Sequence, residues 1–281
     1  MYKPVIASLD GSAFAEEALP YVKRIAQATG AEIQLNRVVS SKDEVTGASN
    51  YLSGIGRRLG EHVSINVHQG DVAQAITDQI KAQPNGLAVM TTHGRTGLSE
   101  AVLGSVALAV VKAAGKPVLV YRPRGGPAAD VQIGSVAVAL DGTAFPEAIL
   151  PEAIQLALDL KVKLTLLQAV PIAKKAIRRT PTGDELAQLG DADLGSGDVL
   201  ESSYLSGMAH EIASQHKLEV DWEVLHGNPA GAICEYVHDT KDVILAITAH
   251  ARPALKRVIF GSVTASCIRN AGVPILVYWQ Q

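Results

Sequence analysis

The 281-residue sequence has only two cysteines, an aromatic content of 4% and no surplus of basic charge. The cysteines, Cys234 and Cys267, lack the Cys-x-x-Cys spacing of a metal or redox site, which predicts two small buried side chains in a reducing compartment. The formal net charge is −3, and no basic block indicates binding to nucleic acid. The most basic run, 174–179, is predicted to be a solvated loop.

Long hydrophobic runs are also absent. No apolar stretch approaches the ~18–20 residues that a membrane span needs. The start of the chain, Met1–Pro4, leads directly into a strand-like segment without the basic and apolar regions of a secretory signal. We therefore expect a cytoplasmic protein with no membrane association.

The sequence repeats itself once. Short motifs of the first half return in the second half in the same order, and the clearest pairs are Leu9–Glu16 with Leu140–Glu147, Tyr51–Gly54 with Tyr204–Gly207, Gly104–Val106 with Gly261–Val263, and Pro117–Tyr121 with Pro274–Tyr278. Such a duplication predicts two domains of one fold, which we place at 1–124 and 131–281, joined by a Pro/Gly stretch around 123–127. The second copy carries an insertion near 171–200, predicted to be a loop with a short helix at 184–189.

Within one copy, short apolar runs alternate with segments whose apolar residues recur every third or fourth position. The predicted strands are 5–9, 33–39, 63–67, 87–91 and 118–121, and the predicted helices begin after Ser12 and at 48–60, 72–82 and 103–114. This alternation predicts two doubly wound, Rossmann-like α/β domains, each a five-stranded parallel sheet flanked by four helices. Ligands of such sheets bind at the carboxyl ends of the strands, where the strand order reverses.

Two kinds of candidate site residue follow these strand ends. Asp10 and its counterpart Asp141 follow the first strand of each copy, where a carboxylate either accepts hydrogen bonds from a nucleoside or forms a local turn or helix cap. After the fourth strand, the glycine-bearing loop 91–97 leads to Gly104–Val106 at a helix start. Unpaired backbone N–H groups at such a start favour phosphate.

These motifs resemble the universal stress protein family. Nucleotide-binding members of that family carry Gly-x-x-Gly, nine residues, and then Gly-Ser or Gly-Thr. Here Gly94 is followed by nine residues and then Gly104-Ser105, and the segments Thr92–Leu98, Leu103–Ala107 and Lys116–Val120 also fit. The resemblance covers nearly all of both copies apart from the insertion, and it implies the adenine nucleotide alpha hydrolase-like form of the fold.

The resemblance also implies a ligand, ATP or the related ADP or AMP, with or without Mg²⁺, and a set of contacts. In the first copy the implied contacts are Asp10, Val38, Met90 and Thr91 to the nucleoside and His93, Gly94, Arg95, Gly104, Ser105 and Val106 to the phosphates. The equivalents in the second copy are Asp141, Ala169, Ile247, Thr248, His250, Arg252, Gly261, Ser262, Val263 and Thr264. No metal-binding or catalytic residue is implied.

The sequence departs from the family pattern at the motif glycines. Thr91 and Thr248 replace the first glycine, and Ala251 replaces the second glycine in the second copy. An added Cβ is costly where φ must be positive, and Pro253 removes a backbone donor where the first copy has Thr96. The first copy is therefore the better candidate for binding.

Two further functional hypotheses stay open on the residues alone. One is a universal stress protein that binds no nucleotide and acts through protein contacts. The other is a slow ATPase, although His93 and His250 lack the spacing of a catalytic triad or metal site, and a loop histidine that bonds backbone or ligand explains both. The resemblance also implies a regulator that forms a homodimer of tandem chains and acts on an unknown protein partner.

The last strand of each copy bears on assembly. Val118–Tyr121 and Ile275–Tyr278 are apolar, and unprotected apolar edges tend to pair. We predict that the two strands pair antiparallel within one chain, so that the two copies form a pseudo-dimer.

Overall fold

The structure is a computed structural model that describes residues 2–60, 62–92, 103–123, 131–170, 192–249 and 260–280, with only the backbone of 192–200. In the first half the strands are β1 Val5–Ser8, β2 Ile33–Val39, β3 Val63–Gln69, β4 Leu87–Thr91 and β5 Val118–Tyr121. The helices of this half are α1 Ala13–Glu16, α2 Leu19–Thr29, α3 Val45–Leu59, α4 Val72–Ala82 and α5 Ser105–Ala113.

The second half repeats this order. Its strands are β6 Ser135–Leu140, β7 Lys163–Val170, β8 Val220–His226, β9 Val243–Ala249 and β10 Ile275–Trp279. Its helices are α6 Ala144–Glu147, α7 Leu150–Leu160, α8 Ala192–His216, α9 Pro229–Thr240 and α10 Ser262–Asn270. None of the described helices is long and apolar enough to cross a membrane.

All described strands form one ten-stranded sheet in the order β3-β2-β1-β4-β5-β10-β9-β6-β7-β8. Neighbouring strands within each half are parallel. The strands β1, β4, β6 and β9 are apolar along nearly their whole length because helices cover both faces of the sheet. The predicted fold class is confirmed.

The two halves meet at an antiparallel seam between β5 and β10. Leu276 lies opposite Leu119, with Ile275 opposite Val120 and Val277 opposite Val118, and all are buried. The predicted antiparallel pairing of the last strands within one chain is confirmed. The domain limits 1–124 and 131–281 stay a prediction, and residues 124–130 between them lie outside the described part of the chain.

Polar side chains begin several helices, as the sequence pattern favours. The Ser12 hydroxyl accepts a hydrogen bond from the N–H of Ala15 at 3.1 Å, which confirms the predicted cap of α1. Asp71 and Asn228 cap α4 and α9 in the same way. Both cysteines are buried in helices of the second half, as predicted.

Several predicted boundaries were wrong. The strand predicted at 63–67 runs to Gln69, and the helix predicted at 48–60 spans Val45–Leu59. The helix after Ser12 is two helices, because Pro20 has no N–H to bond the carbonyl of Glu16 and α2 starts afresh at Leu19. The helix predicted at 103–114 begins at Ser105, with Gly104 as its cap. Residues 192–200, which were predicted to be part of the loop, form the beginning of α8. Each residue that joins an existing helix adds one backbone hydrogen bond, which favours the extension of α8 through this segment. The rest of that loop, with the predicted helix at 184–189, lies outside the described residues.

Candidate functional site

A cleft of about 590 Å³ opens at the carboxyl ends of β1, β2 and β4. From β1 the chain runs to β2 and β3 on one side, whereas β4 and β5 lie on the other side. This is the point where strand order reverses, which is where doubly wound sheets bind ligands. The predicted residues that line the cleft are Asp10, Val38, Met90, Thr91, Gly104, Ser105 and Val106. Three predicted residues of this copy, His93, Gly94 and Arg95, lie outside the described part of the chain.

Asp10 shapes the turn at the cleft entrance. Its Oδ1 accepts hydrogen bonds from the backbone N–H of Ser12 at 2.9 Å and from the Ser12 hydroxyl at 2.6 Å. The local turn that the sequence allowed at Asp10 is therefore present. Asp10 is half-buried and lines the cleft, so its carboxylate can hold the turn and also contact a ligand.

Helix α5 starts at the opposite wall. The carbonyl of Thr92 accepts a hydrogen bond from the N–H of Gly104 at 2.7 Å, which holds the end of β4 against the start of α5. Gly104 has no side chain to cap the helix, and Ser105 is exposed beside it. The first-turn N–H groups of α5 are thus directed at the cleft with the positive end of the helix dipole, which favours an anionic group.

Asn36 of β2 is a lining residue that the sequence reasoning missed. Its side chain is 1% exposed, and its Oδ1 accepts a hydrogen bond from the amide of Asn66 at 3.1 Å. Its Nδ2 has no partner among the described residues. No clear sequence signal marked it, because β2 also carries the polar residues Gln34 and Arg37. A buried unpaired donor fits a ligand that offers an acceptor.

A second cluster lies beside the turn that follows β1. The guanidinium of Arg37 lies 5.0 Å from the ring centroid of Tyr51, and the Tyr51 hydroxyl donates to Glu16 at 3.1 Å. Burial and then the carboxylate of Glu16 raise the pKa of Tyr51. Arg58 pairs with the same carboxylate at 2.6 Å. These contacts tie α1 and β2 to α3.

The equivalent region of the second half contains two buried threonines. The Thr248 hydroxyl donates to the carbonyl of Pro146 at 3.0 Å, and the Thr264 hydroxyl donates to the carbonyl of Thr248 at 3.3 Å. Both hydroxyls therefore bond backbone carbonyls of the second half. Phe260, next to the start of α10, packs edge-on against Trp279 with 5.5 Å between ring centroids.

The other predicted residues of the second copy are also placed. Asp141 repeats the turn of Asp10, accepting from the N–H of Thr143 at 2.9 Å and from its hydroxyl at 2.6 Å. The remaining placed residues flank the ends of β7, β9 and α10; they are Ala169, Ile247, Gly261, Ser262 and Val263. His250 and Arg252 lie outside the described residues. Across the described ranges, no group of three His, Cys, Asp or Glu side chains is arranged to hold a metal ion.

A doubly wound sheet with a cleft at its switch point and a glycine-started helix above it defines a Rossmann-like α/β protein. The sequence model of the universal stress protein family matches residues 55–122 and 133–278. The chain therefore belongs to the universal stress protein family, with two copies of the family's domain in tandem.

Individual relatives agree with this assignment. The chain is 28% identical to a universal stress protein of Methanocaldococcus jannaschii over 141 residues, which are 43% of this chain and 83% of the relative. A crystal structure of a universal stress protein from Archaeoglobus fulgidus has a TM-score of 0.71 at 18% identity, covering 99% of this chain and 98% of the other. A protein of unknown function from Pseudomonas aeruginosa has a TM-score of 0.64 at 17% identity, covering 99% and 92%. These structures support the fold.

Proposed function

We propose that the cleft of the first half binds an adenine nucleotide, ATP or the related ADP or AMP, with or without Mg²⁺, and that the protein acts as a regulator in the stress response. The observation that carries this proposal is the convergence of three groups on one cleft: the carboxylate of Asp10, the backbone of Val38 and the start of α5 at Gly104. A carboxylate suits ribose hydroxyls or an amino group, and a helix start suits phosphate.

In this proposal each wall of the cleft contacts a different part of the nucleotide. Val38, at the end of β2, would contact the adenine through its backbone, and Met90 and Thr91 would flank the nucleoside. Gly104, Ser105 and Val106 would hold the phosphates at the start of α5. The predicted phosphate partners His93, Gly94 and Arg95 belong to the same proposal.

The second half is the weaker site in this proposal. Its sequence carries Ala251 and Pro253 where the first copy has Gly94 and Thr96. We expect one nucleotide per chain.

Calorimetric titration of ATP, ADP and AMP into nucleotide-stripped protein, with and without Mg²⁺, tests this function. Gly104→Trp fills the first cleft and should abolish binding, whereas the matched variant Gly261→Trp in the second half should leave it intact. Two nucleotides per chain would show that both halves bind. No binding would instead favour a protein that acts only through protein contacts, and steady release of phosphate would favour the slow ATPase.

The proposal also covers the oligomeric state of the protein and its location in the cell. We infer a homodimer of tandem chains in the cytoplasm that acts on a protein partner. Sedimentation of the full chain measures the first of these directly: a dimer supports the inference, and a monomer at all concentrations contradicts it.

A further inference from the structure

Asn36 has an unusual position for an amide. It lies in the middle of β2, 1% exposed, and contributes to the wall of the cleft. Asn66 on the edge strand β3 donates to its Oδ1 at 3.1 Å. This bond fixes the orientation of the amide and leaves Nδ2, which has no partner in the described structure. A buried donor without a hydrogen-bond partner lowers the stability of the folded state, so its presence needs a physical reason.

The second half shows that the fold itself needs no amide here. In the first half Ser8 pairs with Asn36 in register, and in the second half Ala139 pairs with Leu167. Leu167 is fully buried at the equivalent place. An apolar side chain therefore satisfies the packing at this position of the sheet. The polarity of Asn36 is specific to the half whose cleft is the better nucleotide site.

The location of Asn36 indicates which part of a ligand it meets. Side chains two residues apart on a strand share a face, so Asn36 lies on the same face as Val38, one step further into the cleft. Val38 packs with the cluster that contains Ile76 and Met90, both of which also line the cleft. An apolar wall of this kind suits a flat aromatic base, and the donor among its members then faces the edge of that base.

We propose that Asn36 is a specificity-determining residue of the first-half site and that its Nδ2 donates a hydrogen bond to a ring nitrogen of the bound adenine. This inference rests on the proposed nucleotide binding. Adenine offers three acceptor nitrogens on its rings, N1, N3 and N7. Leu167, at this position of the second half, offers no donor to match them.

Calorimetric titration of ATP into the full chain and into its Asn36→Leu variant tests the inference. The substitution keeps the branched shape and the number of side-chain heavy atoms, and it copies the residue of the second half. We expect affinity to fall about tenfold, the ratio that loss of one neutral hydrogen bond produces. The melting temperature of the nucleotide-free variant should not fall, because an unpaired buried donor is removed.

Thr165→Val is the matched control. The Thr165 hydroxyl is also buried without a partner in the described structure, but it lies on β7 in the second half. Its removal should change nucleotide-free stability in the same direction and leave ATP affinity unchanged. Should Asn36→Leu fail to fold, titration of the unmodified protein with 1-deaza-, 3-deaza- and 7-deaza-ATP measures the same bond, and one analogue should bind about tenfold more weakly.

The outcomes separate the two proposals. Weaker binding by Asn36→Leu, together with one deaza analogue that binds both proteins equally, supports the role of Asn36 and names the nitrogen. Equal ATP affinity of the variant and the unmodified protein overturns the role of Asn36 and leaves nucleotide binding standing. Failure of the unmodified protein to bind any adenine nucleotide overturns the proposed function and this inference with it.

Discussion

Truncating the two leucines that face each other across the seam should reveal whether the halves form one continuous sheet. Leu119 and Leu276 are opposite one another in the antiparallel register, and each is completely buried. Each Leu→Ala change should reduce the free energy of unfolding by about 2–5 kcal/mol, because it removes buried methyl groups and leaves a cavity. The double variant should lose less than the sum of the two, since one enlarged cavity replaces two separate ones.

The coupling between the two substitutions is the decisive quantity. Side chains in contact show interaction free energies of about 0.5–3 kcal/mol, whereas distant pairs add to within about 0.5 kcal/mol. Leu205 on α8 provides the control partner for Leu119, because α8 packs on β7 and β8. With β7 four strands away from β5 in the sheet order, the separation is roughly 19 Å at the usual strand spacing.

Urea unfolding of the four proteins of each cycle, followed by circular dichroism, measures both couplings. We expect a coupling for Leu119 with Leu276 and additivity for Leu119 with Leu205. If Leu119 and Leu276 are also additive, the seam is absent in solution and the pseudo-dimer described above is refuted.

Three further substitutions have clear expected outcomes. Gly11→Ala should destabilise the protein by about 1–2 kcal/mol in a thermal melt, because Gly11 has a φ of +90°. An added Cβ would also lie 2.9 Å from the Arg37 guanidinium. Unchanged stability would contradict the positive φ. The Lys116 ammonium donates to three backbone carbonyls at the end of α4. Lys116→Met should therefore lower the free energy of unfolding, measured in urea, by about 1–3 kcal/mol. An unchanged free energy of unfolding would show that water replaces these bonds. Burial and then a hydrogen bond to Glu152 raise the pKa of Tyr2. The contribution of Tyr2 to stability is therefore full below the ordinary tyrosine pKa of about 10 and declines above it. Between pH 9 and 11 the free energy of unfolding should decline less in Tyr2→Phe than in the unmodified protein. An identical decline in both proteins would exclude Tyr2 as the cause.

The sequence predicted the fold well because its signals were local and repeated. The apolar strand runs, the turn at Asp10 and the cap at Ser12 all depend on neighbouring residues. The seam was predictable because the last strand of each copy is apolar and ends a repeat. Proximity of Asp10, Val38 and Gly104 was predictable too, since the carboxyl ends of parallel strands meet at one edge of a sheet.

Other features depend on contacts between distant residues. The orientation of the Asn36 amide depends on Asn66, a residue of another strand that donates to its Oδ1. The hydroxyl of Thr248 bonds the carbonyl of Pro146, which is far away in the sequence, so no local pattern shows this bond. The extent of α8 was misjudged because glycine, serine and aspartate before Leu200 favour a loop, whereas the helix continues through them.

A crystal structure of the full chain grown with ATP and Mg²⁺ tests the central claim most directly. The account predicts one nucleotide per chain, in the first half, with its base against Val38 and its phosphates at the start of α5 beside Gly104 and Ser105. Nucleotide bound only in the second half, or at a place away from the carboxyl ends of β1, β2 and β4, would contradict it.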